Sequence, residues 1–377
     1  MATIAIAGAG LAGRLCAWAL VRAGHRVEVF EAAPGRTPSF DARGAAAFSA
    51  AGMLSPLAEQ EQGGAEIAAL GWRSLALWPA IVAALPLPVP LRADGSLLLA
   101  HRADLGAAQR ALMRMPGAEP LSAEELASLE PMLAPGLRGW HLPREGLIAP
   151  IPAMAALHAG AEGARWHWDR AVDQVLPGEI HFADGGRWSG DWALDTRGLG
   201  ARPPLPLRGV RGEIVTLSLP GHGLRRPVRL LHPRHRVYLV PRSDSELVVG
   251  ASEIESEDRS PVSLRSAVEL MAAAQSVLPA LSEARIERLD RHLRPALPDN
   301  LPFLHHEPGL LRLNGLYRHG WLLAPALVER LLVEAGLATL AQPADAADQA
   351  TQVDRVNRAG RAEQAKPDDQ ATLEMTT

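Results

Sequence analysis

A strand that runs straight into a glycine loop opens this chain and constrains its fold more than any other feature. Thr3-Ile4-Ala5-Ile6-Ala7 is a short apolar strand, and Gly8-Ala9-Gly10-Leu11-Ala12-Gly13 follows at once. Arg14 to Ala23 has a helical pattern that Gly24 stops, and Arg26-Val27-Glu28-Val29-Phe30 is a second strand ending in Glu31. A G-x-G-x-x-G in this strand–loop–helix–strand setting has a mechanism. Gly8 allows the tight turn, Gly10 lets the backbone approach a pyrophosphate, and Gly13 lets helix and strand pack closely. The helix start, with Leu11 and Ala12 in it, offers unpaired N–H groups and a positive dipole end to phosphates. Glu31, eighteen residues after Gly13, is placed to accept hydrogen bonds from an adenosine ribose.

The 377 residues are enough for about two domains and a large core. A hydrophobic fraction of 47% with 21% charged residues belongs to an ordinary globular protein. The net charge of −4 argues against a nucleic-acid partner. Arg225, Arg226, Arg229, Arg234 and Arg236 form a local cluster, read as a solvated surface or domain edge. Cys16 is the only cysteine, so no internal disulfide forms, which fits a reducing compartment. The first strand starts at Thr3, leaving no room for a signal peptide. No apolar run approaches the ~20 residues of a bilayer span, and the expected location is cytoplasmic. Lys366, the only lysine among 38 basic residues, sits in a polar tail, which excludes a buried Schiff base and a Walker P-loop. No metal-ligand spacing appears.

Helical patterns run through Trp78 and Ala83, from Asp104 to Met115, and from Ser122 to Leu129, where Ser122-Ala123-Glu124-Glu125 makes a capping box. Leu97 to Ala100 reads as a strand. Glu179 to Phe182 and Arg187 to Ser189 flank Ala183-Asp184-Gly185-Gly186, a hairpin signal. Further strands are expected at Trp192 to Leu194, Glu213 to Leu219, Arg236 to Val240 and Glu246 to Val249. Helices are expected from Ser263 to Val277 and from about Leu322 to Ala335. Proline runs at 86–90 and 203–206 mark crossings between two interleaved domains. The expected division is 1–80, 141–208 and 292–340 for one, and 81–140 and 209–291 for the other. The composition of 341–377 favours a disordered tail.

Several separated motifs, in this order, resemble the D-amino-acid oxidase family of FAD-dependent amine oxidoreductases, and within it the glycine oxidase branch. They are the Gly8–Gly13 loop with Glu31, Ala50-Ala51-Gly52-Met53-Leu54, Val210-Arg211-Gly212-Glu213, Val237-Tyr238-Leu239-Val240-Pro241-Arg242 and Val248-Val249-Gly250-Ala251. Leu293-Arg294-Pro295 with Pro298-Asp299-Asn300-Leu301-Pro302 follows, then Tyr317-Arg318-His319-Gly320 with Leu322-Leu323-Ala324-Pro325. The resemblance implies an α/β fold with α+β character: a Rossmann-like FAD-binding domain interleaved with an antiparallel-sheet substrate domain. The small side chains of Ala45 to Gly52 suit a backbone lying against a flat ring system.

By resemblance, FAD contacts Gly8, Gly10, Leu11, Ala12, Gly13 and Glu31, then Ala51, Gly52 and Met53. Val172 meets the adenosine half through its backbone, and Thr196 and Gly198 lie beside the cofactor. Gly320, with Trp321, Leu322 and Leu323, opens a helix aimed at the flavin C2 carbonyl, where negative charge grows on reduction. With Cys16 the only thiol and placed in the first helix, the FAD is expected to be non-covalent. Arg294 is implied to hold the substrate carboxylate, a task suited to a planar guanidinium. Tyr238 reaches the same carboxylate, and Arg318 stands beside the reacting edge of the flavin. Two departures stand out. Arg236 replaces a histidine common in relatives, and Asp195-Thr196-Arg197-Gly198 stands where many have Ala-Thr-Gly.

The implied reaction is oxidation of glycine and small amines with O2 as acceptor, giving imine, glyoxylate and H2O2, in thiamine biosynthesis. A D-amino-acid dehydrogenase or broader D-amino-acid oxidase is the enzymatic alternative, and a non-catalytic flavoprotein subunit the other. No nucleic acid, metal or membrane span is expected, and a homo-oligomer stays open.

Overall fold

The structure, a computed structural model, describes residues 1–232 and 236–340, with Arg236 given by its backbone alone. Arg234, His235 and the tail from Ala341, with Lys366, lie outside the described residues. Ile4, Ala5, Ile6 and Ala7 are fully buried, as a strand covered on both faces must be. Thr3–Ala7 is the centre of a six-stranded sheet, parallel to Arg26–Phe30 on one side and Trp192–Asp195 on the other. Arg165–His167 extends the sheet beyond Arg26–Phe30. Leu310–Asn314 and the antiparallel Phe303–Glu307 extend it on the opposite side. The chain therefore leaves the first strand with neighbours on both sides, so the crevice beyond Ala7 is a switch point where ligands bind.

A second sheet has eight strands, in the order Arg285–Ala296, Arg208–Ser218, Glu246–Gly250, Arg236–Pro241, Val228–Leu231, Ser96–Ala100, Arg138–Leu142 and Glu119–Leu121. Leu97, Leu99, Val215, Val228, Leu239 and Val249 are fully buried on it, and helix Leu264–Val277 contributes Leu270, Ala274 and Val277 to the same core. Residues 1–340 form one compact unit. The boundaries expected at 140/141 and 291/292 fall inside Arg138–Leu142 and Arg285–Ala296.

The expected elements recur with shifted ends. The first helix is Leu11–Arg22 because Gly10 is its N-cap, and the last is Gly320–Glu334. The expected helix over 104–115 is Leu105–Leu112 behind a 3-10 turn, Arg102–Asp104. The capping box at Ser122 is complete, with both reciprocal bonds made. The long helix Pro56–Ala83 breaks at Gly64, whose φ is +75°. The largest omission of the sequence reading is the strand Arg285–Ala296. Its RIERLDRHLRPA run carries more charges than apolar residues, which suits an edge strand and hides it from a pattern search. Pro295 is tolerated because that edge needs no ladder donor.

The first helix also buries an arginine. The Arg14 side chain donates from Nε to the Ala9 carbonyl (2.9 Å), from Nη1 to Met154 (2.8 Å) and from Nη2 to Arg36 (2.9 Å). Desolvation brings its pKa down to about 10, with Glu31 pulling it back up. It remains charged and ties the glycine loop to two distant segments. Arg14→Leu leaves the enclosed carbonyls of Ala9 and Met154 without this donor, each worth about 1–3 kcal/mol. The expected loss is roughly 3 kcal/mol or more in denaturant unfolding of the apoprotein, with lower flavin retention. Unchanged stability and flavin content would contradict this role.

Candidate active site

One cavity of about 1260 Å³ runs from the Gly8 loop to the eight-stranded sheet. At its first end the packing is too close for side chains. A Cβ at Gly13 would lie 1.9 Å from the Gly8 carbonyl oxygen, and one at Gly8, where φ is +100°, 2.7 Å from the Thr196 carbonyl. The Thr196 hydroxyl donates to the carbonyls of Ala7 and Gly8, both at 3.0 Å, which joins the loop to the strand beside it. The first helical N–H to bond back is that of Arg14, to Gly10, so Leu11, Ala12 and Gly13 present open N–H groups. Glu31 accepts from the N–H of Ala9 at 2.6 Å and of Ala33 at 2.9 Å. This arrangement is a cradle for a pyrophosphate with an acid beside it.

A second helix points its N-terminus at the same cavity. In Gly320–Glu334 the first N–H to bond back is that of Leu323, to His319 at 2.8 Å, so those of Gly320, Trp321 and Leu322 are open to a ligand. Trp321 donates from its indole to the Ala47 carbonyl at 3.1 Å. Ser49 donates to the buried Asp290 carboxylate at 2.8 Å. Together they fix the 3-10 turn Ala46–Ser49, whose small residues line the cavity with Ala51, Gly52 and Met53.

Of the residues expected at a cofactor, the cavity is lined by Gly8, Gly10, Leu11, Ala12, Glu31, Ala51, Gly52, Met53, Thr196, Gly198, Gly320 and Trp321. Gly13, Val172, Leu322 and Leu323 are not among its lining residues. Gly13 is a packing glycine. The side chain of Leu322 packs on Gly71, where a Cβ would come within 2.9 Å. Leu323 is fully buried and its N–H is engaged. The Val172 carbonyl accepts from Arg197 Nη1 at 2.9 Å. That bond gives the Asp-Thr-Arg-Gly departure a structural role. Arg197 also forks onto Asp195 at 2.9 and 2.8 Å, in a pair only 7% and 3% exposed.

At the other end stand Arg294, Tyr238 and Arg318, all lining the cavity. The Arg294 guanidinium lies directly over Gly212, where a Cβ would sit 2.2 Å from Nη2. Nη2 donates to the Ser252 carbonyl at 3.1 Å, while Nη1 is buried with no hydrogen-bond partner. Tyr238 is paired with Gly250 across the sheet, and a Cβ there would come 2.5 Å from its hydroxyl. Desolvation raises the Tyr238 phenol above its ordinary value, with Arg294 pulling the other way, so it is a neutral donor. Arg318 differs from Arg294 because its charge is already matched. It donates to Glu59 at 2.6 Å and to Glu253 at 3.5 Å.

The sequence reading missed Gly212, Gly250, Glu59, Glu253 and Arg229 as site residues. The two glycines carried a signal, since glycine inside a strand marks a close approach. Arg229 corrects the reading of the arginine cluster as solvated surface. It lines the cavity, is 19% exposed and donates to Glu59 at 3.2 Å.

A phosphate cradle at one end of the cavity and a guanidinium with an unpaired nitrogen beside a neutral phenol at the other fit a dinucleotide-dependent oxidoreductase. The chain belongs to the FAD dependent oxidoreductase (DAO) family, whose profile matches residues 3–333. It is 40% identical over 339 residues to the Rhizobium etli protein assigned as the thiamine biosynthesis oxidoreductase ThiO, covering 88% of this chain and 97% of that one. It is 30% identical over 356 residues to a glycine oxidase of Geobacillus kaustophilus, covering 85% and 89%. The crystal structure of glycine oxidase from that organism superposes with a TM-score of 0.77 at 26% identity, over 88% of this chain and 94% of the other. The protein is thus an FAD-dependent oxidoreductase with the expected fold. Its residues fit FAD: two open helix N-termini, an acid at the ribose position and a wall of small residues. Its one cysteine is fully buried, with its thiol pushed up to about 12 by burial, so no thiol is available to tether the flavin.

Gly212→Ala tests the seat of Arg294. The added methyl must displace the guanidinium, and a misplacement of about 1 Å costs on the order of 100-fold. The expected result is a raised KM for a carboxylated amine with FAD content retained. Unaltered kinetics would show that Arg294 does not need this seat.

Proposed function

We propose that the protein oxidises glycine and similarly small amines, sarcosine among them, releasing an imine that hydrolyses to glyoxylate, with O2 reduced to H2O2. The observation that carries this reading is the half-buried Arg294 guanidinium, whose Nη1 is buried and unpaired, lining the same cavity as Tyr238. FAD, held at the Gly8–Gly13 loop and the Gly320 helix start, would supply the redox chemistry that links oxidation of the amine to reduction of O2. The chain's own residues supply the orientation. Arg294 accepts a carboxylate in a two-pronged grip, and Tyr238 adds a hydroxyl donor to it. The open N–H groups of Gly320 to Leu322 would favour negative charge developing on a bound flavin. No carboxylate or imidazole is needed as a base when the amine is neutral, and His319 is held below its ordinary pKa by burial.

The two relatives, one assigned to thiamine biosynthesis and one a glycine oxidase, support the same substrate and a role in thiamine biosynthesis. No helix among the described residues is long and apolar enough to cross a membrane, which is compatible with the cytoplasmic location proposed here. The two sheets support a division into FAD-binding and substrate domains, with boundaries moved to the ends of Arg138–Leu142 and Arg285–Ala296.

A substrate panel with a peroxide readout tests the proposal. Glycine and sarcosine are expected to be oxidised with one H2O2 per turnover, bulky D-amino acids to be poorer substrates, and L-amino acids to be inert. Removing one partner of a desolvated ion pair costs about 2–5 kcal/mol. Arg294→Ala should therefore lose roughly 30-fold to several thousand-fold in kcat/KM for glycine, and Arg294→Lys should recover only part. Turnover without peroxide would point to a dehydrogenase. Near-normal glycine kinetics in Arg294→Ala would overturn the assignment of the carboxylate site.

A further inference from the structure

A chain of alternating charges lines the cavity beside Arg294 and Tyr238, and the reaction above gives it no task. Glu59 accepts from Arg229 Nη1 through Oε1 at 3.2 Å and from Arg318 Nη2 through Oε2 at 2.6 Å. Arg318 Nη1 then reaches Glu253 at 3.5 Å. His319 Nδ1 lies 3.4 Å from the same Glu59 oxygen, and burial lowers its pKa from the ordinary value. Burial also pushes the Glu59 carboxyl up. His319, Arg318 and Arg229 more than offset this and hold it at about 2, so Glu59 is ionised throughout any assay range. Two guanidiniums thus meet two carboxylates. Arg294 adds a charge that no carboxylate pairs with among the described residues.

Arg229 stands directly opposite Tyr238 in the strand pair Val228–Leu231 and Arg236–Pro241, and directly opposed residues present their side chains on one face. Its Nε is buried without a hydrogen-bond partner, as is Arg294 Nη1. Tyr238 senses the charges of both. A second anionic group on a substrate held at Arg294 would find Arg229, but only in the company of Glu59.

We propose that Glu59 is a specificity-determining residue, which neutralises Arg229 and Arg318, leaves a single anion site at Arg294, and turns away amines that carry a second acidic group. This rests on the reading that Arg294 holds a carboxylate. The device is repulsive: a substrate with two carboxylates places one of them beside a fixed carboxylate, and such like-charge contacts discriminate between partners of similar shape. Removing the charge of Glu59 while keeping its shape frees Arg229 to accept the second acid.

The test uses the FAD-loaded protein and two anions of similar size, propionate and succinate, titrated by the change in flavin absorbance, with glycine and D-aspartate compared in turnover. The wild type is expected to favour propionate and glycine. Glu59→Gln is expected to move both ratios toward the diacid by about tenfold or more. Adding Arg229→Gln to that variant should cancel the gain, which a general loosening of the site would not do. Arg229→Gln alone leaves Glu59 with charge to spare and should move the ratios further toward the monoacid, so it decides the matter if Glu59→Gln does not retain flavin. Unchanged ratios in these variants would overturn the proposal. Failure of every anion to perturb the flavin would overturn instead the reading of Arg294 on which it rests.

Discussion

The Arg294 guanidinium lies in a part-buried wall with one nitrogen, Nη1, unpaired, and the surrounding structure serves to keep it that way. It rests on the edge strand Arg285–Ala296, in register with Arg208–Ser218, and the absence of a side chain at Gly212 gives it a seat. A second strand glycine, Gly250, makes room for the Tyr238 hydroxyl in the same manner. Neighbouring guanidiniums are matched by carboxylates, Arg229 by Glu59 and Arg318 by Glu59 and Glu253. A buried donor without a partner is costly, and in the proposed function a substrate carboxylate offsets that cost.

The cofactor end follows a different logic, in which backbone is brought so close to backbone that only glycine fits. Gly13 against Gly8, and Gly8 against Thr196, leave a shallow bowl of open N–H groups. Buried cations hold the bowl from behind. Arg14 binds three carbonyls from three segments, and Arg197 clamps Asp195 and the carbonyls of Val172 and Asp173. Such charges are costly to bury unless fully hydrogen-bonded, and all of these are engaged.

How much of this was legible in the sequence depended on range. The first βαβ unit, the Ser122 capping box and the Asp184-Gly185 hairpin are local, and each was read from residues within a few positions of one another. The strand Arg285–Ala296 was not, because its stability comes from pairing with a partner some 75 residues away and its charges mask the alternation. The same limit applies to the site. Arg294 and Tyr238 came from motif resemblance, whereas the pairing of Glu59 with Arg229 joins residues separated by 170 positions and no local pattern announces it. Arg229 was misread as surface for that reason. The two acidic partners of Arg318, Glu59 and Glu253, lie 259 and 65 positions away and are equally hidden from a local pattern.

The central claim is that one unpaired guanidinium receives the substrate's carboxylate. A crystal structure of the FAD-loaded protein with an unreactive carboxylate such as glycolate tests it most directly. The account predicts both carboxylate oxygens on Arg294 with the Tyr238 hydroxyl bonded to one of them, and the Glu59 pairs intact. A carboxylate bound at Arg318 or Arg229, with Arg294 left unoccupied, would contradict it.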